Sequence, residues 1–119
     1  MISREEISKG QLIPPKLEAN LQLLLERLNK FRKEYAKPMI VVSGYRQSNH
    51  NRKIGGAPNS AHLSCQAADF ADVDRTLTKF CTNEVLQKFD LYMEDPSHTP
   101  TWVHLQTRPT KSGRRIFIP

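Results

Sequence analysis

Leu91-Tyr92-Met93-Glu94 and Trp102-Val103-His104-Leu105-Gln106 are two short runs of strand-favouring residues, joined by the stretch Asp95–Thr101 with its two prolines, Pro96 and Pro100. Aromatic and β-branched side chains suit a pleated, half-buried surface, and the prolines supply a turn, so the pair reads as an antiparallel hairpin. Upstream, Met39-Ile40-Val41-Val42 reads as a buried strand. Gln66-Ala67-Ala68-Asp69-Phe70 reads as another, with small residues where something packs closely. The N-terminal third has a different period. Leu17, Leu21, Leu24, Leu28, Phe31 and Tyr35 fall on one face of a helix, which Pro14 and Pro15 open and Pro38 ends. Ser3-Arg4-Glu5-Glu6 is a capping box for a shorter helix stopping at Gly10. Asp74 is expected to cap a helix to about Cys81, and Asn83 one to about Phe89. Helices first and strands after give an α+β fold: a small antiparallel sheet packed on the N-terminal helices, in one domain over residues 1–119.

The composition bounds the function. In 119 residues, 38% are apolar and 25% charged, ordinary for a globular domain that needs no disulfide scaffold. No apolar run has the length of a membrane helix. The opening residues are acidic and polar, unlike a secretory leader, so synthesis in the cytoplasm is expected. Eighteen Lys and Arg against twelve Asp and Glu give a net charge of +6, which draws a protein to polyanions such as nucleic acid or a bacterial wall. The basic residues form no block, and the expectation is solvated faces, with no nucleic-acid partner. Cys65 and Cys81 are expected to be thiols.

Gln47–Ser60 is polar, carries Gly55, Gly56, Pro58 and Asn59, and reads as a long loop of the kind that often serves function. His62 closes it, with Asp69 following, and His104 sits in mid-strand between Val103 and Leu105. Taken singly, each has the ordinary reading of a hydrogen-bonded core residue. Two imidazoles and a carboxylate converging from separate strands would be a three-ligand zinc site, which leaves a fourth position open. Asp72 and Asp74 are read as helix-capping acids rather than a calcium loop, and His98 has no role.

The stretch Ser60-Ala61-His62-Leu63-Ser64-Cys65-Gln66-Ala67-Ala68-Asp69 resembles the motif SxHxxGxAxD. That motif is the zinc signature of the D-Ala-D-Ala carboxypeptidase and L-alanyl-D-glutamate endopeptidase family, which includes phage endolysins and VanX-type dipeptidases. Ser43-Gly44-Tyr45-Arg46 is similar to its SGYR turn. His50–Ala57 with Asn59-Ser60 is similar to the loop leading to the first ligand, and Trp102-Val103-His104 to the strand carrying the last. The resemblance spans roughly Val41 to Gln106. It implies a hedgehog/DD-peptidase-like fold, zinc on His62, Asp69 and His104, and hydrolysis of peptidoglycan stem peptides or cross-links; a monomer is the default expectation. It further implies Arg46 near the metal, holding a substrate carboxylate or developing oxyanion, Ser60 steadying the His62 loop, and His50 binding substrate or fixing the loop.

Two positions depart from the pattern. Cys65 stands where the motif has glycine, as a fourth ligand or a buried small residue beside Cys81. Thr101 stands three residues before His104, where many members carry a catalytic acid. Threonine is no general base. The hairpin is expected to bring Glu94 beside Thr101, with Asp95 as the alternative acid. With no separate wall-binding domain and no signal peptide read in the sequence, a phage or prophage lysis protein, released through a hole made by another protein, is the expected setting. The rivals are a zinc-holding domain that binds wall peptides without cutting them, and a basic nucleic-acid-binding module.

Overall fold

The long helix forms where the leucine period places it. The computed structural model describes all 119 residues, Met1–Pro119. A 3₁₀ turn, Pro15–Leu17, leads into α2, Glu18–Tyr35. Leu21, Leu24, Leu28 and Phe31 are fully buried, while Leu17 and Tyr35 pack at the margin. The helix stops at Ala36, in the left-handed region at φ 60°, two residues before the expected proline. Phe80 and Phe89 meet Phe31 edge-on at 5.4 and 5.8 Å, adding aromatic contacts to area burial.

Ser3 and Glu6 form both arms of the capping box on α1, Arg4–Ser8. The helix ends at Ser8, with Lys9 and Gly10 both at positive φ. Its docking site is set by Gly44. A Cβ there would stand 2.8 Å from Ile7 Cα and closer still to Ile7 O, so only glycine lets the two backbones meet. Tyr45 N donates to Ile7 O at 2.8 Å across that contact.

Five strands make one sheet in the order β1-β2-β4-β3-β5: Val41–Ser43, Ala67–Ala71, Tyr92–Glu94, Trp102–Gln106 and Ile116–Phe117 for β1 to β5. The first four pair antiparallel as expected, but β5 joins β3 in parallel, so the sheet is mixed. Two residues of strand carry too little pattern to be read from sequence. β1 is also less buried than expected. It is an edge strand, and of the run Met39–Val42 only Met39 and Val41 are buried while Ile40 and Val42 are exposed.

Three helices differ from the sequence reading. Part of the Gln47–Ser60 loop is a helix, α3, Ser48–Lys53. α4 spans Thr76–Phe80, and Asp72 rather than Asp74 does most of its capping. Asp72 Oδ1 accepts from Leu77 N at 2.9 Å and Oδ2 from Thr78 N at 2.8 Å, whereas Asp74 accepts from Thr76 N alone. α5, Asn83–Lys88, is capped by Thr82 and not Asn83, because the Thr82 hydroxyl accepts from Val85 N.

Strand alternation divides the sheet into two faces. Ala68, Phe70, Met93, Val103 and Leu105 join α2 in a single apolar cluster. Burying one side chain like Phe70 contributes roughly 1.5–3 kcal/mol. The opposite face presents Asp69, Glu94, His104 and Gln106, which line an open cleft.

Candidate metal centre

One row of residues crosses the whole sheet on this face. Ser43 is the register partner of Asp69, and Asp69 of His104. β3 pairs β4 with Tyr92 opposite Gln106 and Met93 opposite Leu105. One step on, that register sets Glu94 across from His104, and Phe117 pairs Glu94 on its other side.

Glu94 is therefore beside His104 and not beside Thr101, a correction to the expected hairpin register. β3 ends at Glu94, and Asp95 N turns instead to Phe117 O at 2.8 Å. Pro96, with no N–H to offer, opens a 3₁₀ turn, Pro96–His98. The far end of β4 pairs only with β2, Trp102 opposite Ala71. Thr101 lies beyond that end, exposed, its carbonyl accepting from Asp72 N.

His62 arrives from the turn before β2. Ser60 Oγ accepts from His62 N at 3.2 Å, and Arg46 N donates to His62 O at 3.2 Å. His62 Nδ1 is 2.7 Å from Gly44 O. A carbonyl only accepts, so Nδ1 carries a proton and Nε2 is the nitrogen left to face a metal. That Nε2 faces Asp69 Oδ1 at 3.2 Å.

His104 is held in the opposite sense. Gln106 Nε2 donates to Arg108 O at 2.8 Å, which turns Gln106 Oε1 toward His104 Nε2, also at 2.8 Å. His104 Nε2 must then donate, and Nδ1 faces Asp69 Oδ1 at 2.8 Å. The donor atoms of His62, Asp69 and His104 all lie within 4.8 Å of one another, and all three residues are buried. Two imidazoles with outer N–H groups tied to oxygen and inner nitrogens turned to one carboxylate suit a divalent cation that takes nitrogen and oxygen ligands.

The electrostatics match. Burial works against a charged Asp69, but hydrogen bonds from His104 and His62 and the charge of both rings hold its carboxyl well below the usual range. Burial likewise opposes a charge on His104, yet the hydrogen bond and charge of Asp69, with help from Gln106 and Glu94, raise its pKa above the ordinary value.

Arg46 braces the other carboxylate oxygen, its guanidinium 3.4 Å from Asp69 Oδ2. Nε donates to Ser43 Oγ at 3.1 Å and another nitrogen to Asn51 Oδ1 at 3.3 Å. Of the five N–H groups in a guanidinium, two remain for a ligand. Asn51 is buried within α3 and also donates to Ala57 O at 2.8 Å, so it ties the loop to Arg46. Gly56 sits directly against Asn51, where a Cβ would collide with its amide.

An open cleft of about 1050 Å³ lies over this floor, lined among others by Arg46, Ser60, His62, Asp69, Glu94 and His104. Two expected site residues fall outside its lining. Asp95 Oδ1 is occupied by Ser97 N at 2.9 Å and Ser97 Oγ at 2.7 Å, contacts that lower its pKa. His50 is on the exposed side of α3. Cys65 belongs to the apolar core and not to the donor cluster, and burial pushes its thiol up to about 11 and that of Cys81 up to about 12. Both are free thiols. Sequence reasoning missed Gln106, Asn51, and the Gly44 carbonyl. Gln106 had a usable signal, since residues two apart on a strand share a face.

A cleft with a His-Asp-His donor set on the open face of an α+β sheet is a site that could hold a metal ion. The chain matches the family model described as Peptidase M15 over residues 1–106, and it belongs to that family of metallopeptidases. No curated protein matches it at a significant level. No helix is long and apolar enough to cross a membrane.

Proposed function

We propose that this protein is a zinc-dependent peptidase that hydrolyses peptidoglycan stem peptides or cross-links. One observation carries the reading: the inner nitrogens of His62 and His104 and the Asp69 carboxylate converge on the floor of an open cleft that also holds Glu94. When bound there, zinc supplies Lewis acidity and lowers the pKa of water to about 7.

The chain's own groups do the rest. Glu94 makes no ion pair within the protein, so its carboxylate is free to take a proton from water and return it to the leaving amine. Arg46, held on three sides, braces the Asp69 carboxylate and has spare N–H groups for a substrate carboxylate or oxyanion. Ser60 and Gly44 fix the His62 ring through its backbone and its Nδ1. The net charge of +6 suits an anionic wall, and the reading extends to a monomeric lysis protein of phage or prophage origin.

Thr101 at the position three before His104 favours one rival, a zinc-containing domain that binds wall peptides without cutting them. Release of new amines from purified peptidoglycan by zinc-loaded protein decides between them. Glu94→Gln should lower release by about a hundredfold or more, and Asp95→Asn should leave it within about twofold. Release by neither wild type nor variants supports the rival, and full activity in Glu94→Gln removes Glu94 from its role.

A further inference from the structure

The family match ends at residue 106, but the cleft does not. Arg108, Lys111, Phe117, Ile118 and Pro119 form part of its lining. The segment is anchored. Met93 N donates to Arg115 O at 2.7 Å, and the Arg115 guanidinium stacks 4.3 Å over Tyr92 and pairs with Asp90 at 2.8 Å. Phe117 stands edge-on to the His104 ring, with centroids 6.1 Å apart. Arg108 reaches to Asn59 O at 2.8 Å, tying this segment to the loop before His62.

Within this segment the charged side chains that line the cleft, Arg108 and Lys111, are both positive. Arg46, Arg108 and Lys111 are the cleft's Lys and Arg residues, against the acids Asp69 and Glu94. Asp69 is already engaged by both histidines and Arg46. Arg108 is spent in part on Asn59, whereas Lys111 is exposed and forms no ion pair in the chain. An unpaired ammonium on the wall of a peptide-sized cleft is placed to meet a carboxylate on the ligand.

We propose that residues 107–119 are a specificity element and that Lys111, assisted by Arg108, selects, among the peptides that are cut, those carrying a free carboxylate. This rests on the peptidase reading for the word "cut", but the selection itself is a binding property and is tested as one. Trp102 is the chain's one tryptophan and lines the same cleft, so its fluorescence reports occupancy. The probes are L-Ala-γ-D-Glu-L-Lys-D-Ala-D-Ala with its C-terminus amidated, so that the α-carboxylate of D-Glu is its one free carboxylate, and the same peptide with that carboxylate also converted to a carboxamide. They are titrated into zinc-loaded Glu94→Gln protein, which keeps the peptide whole.

The acid should bind about fivefold more tightly than the amide. Lys111→Gln should bring that ratio below about twofold, and Lys111→Glu should invert it. Raising the ionic strength to about 1 M, where the Debye length is about 3 Å, should flatten it as well. Equal affinity for acid and amide, failure of either to bind, or a preference untouched by both Lys111 variants overturns the proposal. A protein that discriminates the two peptides but never cleaves them keeps the specificity element and loses the peptidase.

Discussion

His104 Nε2 and Gln106 Oε1 meet at 2.8 Å on one face of β4, and this bond decides which nitrogen of His104 faces Asp69. Gln106→Leu removes the acceptor, frees the ring to turn, and leaves its N–H unpaired. Zinc affinity, read by competition with a chromophoric chelator, should fall by about 10- to 100-fold. Gln106→Glu keeps an acceptor oxygen in place and should retain most of that affinity. Equal losses in the two variants would contradict the bond's role.

The imidazole of His104 is also the source of a pH dependence. Its pKa is raised in the metal-free fold, so a metal must compete with a proton for the ring. Zinc binding should release a proton, seen as a calorimetric enthalpy that varies with buffer, and affinity should climb with pH until His104 is neutral. Stability of the metal-free protein runs the other way. The His104 contribution is complete below about pH 6.5, its unfolded pKa, and is lost as pH rises through the raised folded value. The Asp69 contribution is complete above its unfolded pKa and is lost as pH falls toward the depressed one. Zinc should thus raise the melting temperature more at pH 8 than at pH 6, and a pH-independent shift would contradict the pairing.

Gly44 should tolerate nothing larger. Gly44→Ala would push against Ile7 and cost about 1–3 kcal/mol in denaturant unfolding. Because the Gly44 carbonyl fixes His62, the same variant should also weaken zinc binding. Loss of stability without loss of affinity would separate the two roles.

Cys65 occupies the glycine place of the motif with φ at 61°, in the left-handed region. A side chain there costs about 1–2 kcal/mol relative to glycine. Its sulfur, fully buried, offsets part of that. Cys65→Ala keeps the strain and loses the sulfur, so it should be less stable than Cys65→Gly by about 1 kcal/mol in chemical denaturation, although glycine removes one atom more. The opposite order would mean that φ is not what selects glycine at this place.

Much of this was legible in the sequence. The 3-4 leucine spacing specifies α2, and the order of the motif pieces names His62, Asp69 and His104. The hairpin is legible too, but its register is not. Glu94 reaches the site because β3 stops there and Asp95 pairs with Phe117, a consequence of a two-residue strand no pattern announces. Gln106, Asn51 and the Gly44 carbonyl act through hydrogen bonds that join distant parts of the chain. The loop helix α3 was hidden because its residues, Ser48–Lys53, are all polar and have no apolar period to show.

The central claim is that His62, Asp69 and His104 hold one metal ion. Elemental analysis of wild type and His62→Ala, purified side by side and dialysed against buffered zinc, tests it most directly. The account predicts about one zinc per wild-type chain and a large loss in a variant that remains folded by circular dichroism. Equal zinc in the two proteins, or none in wild type, would contradict it.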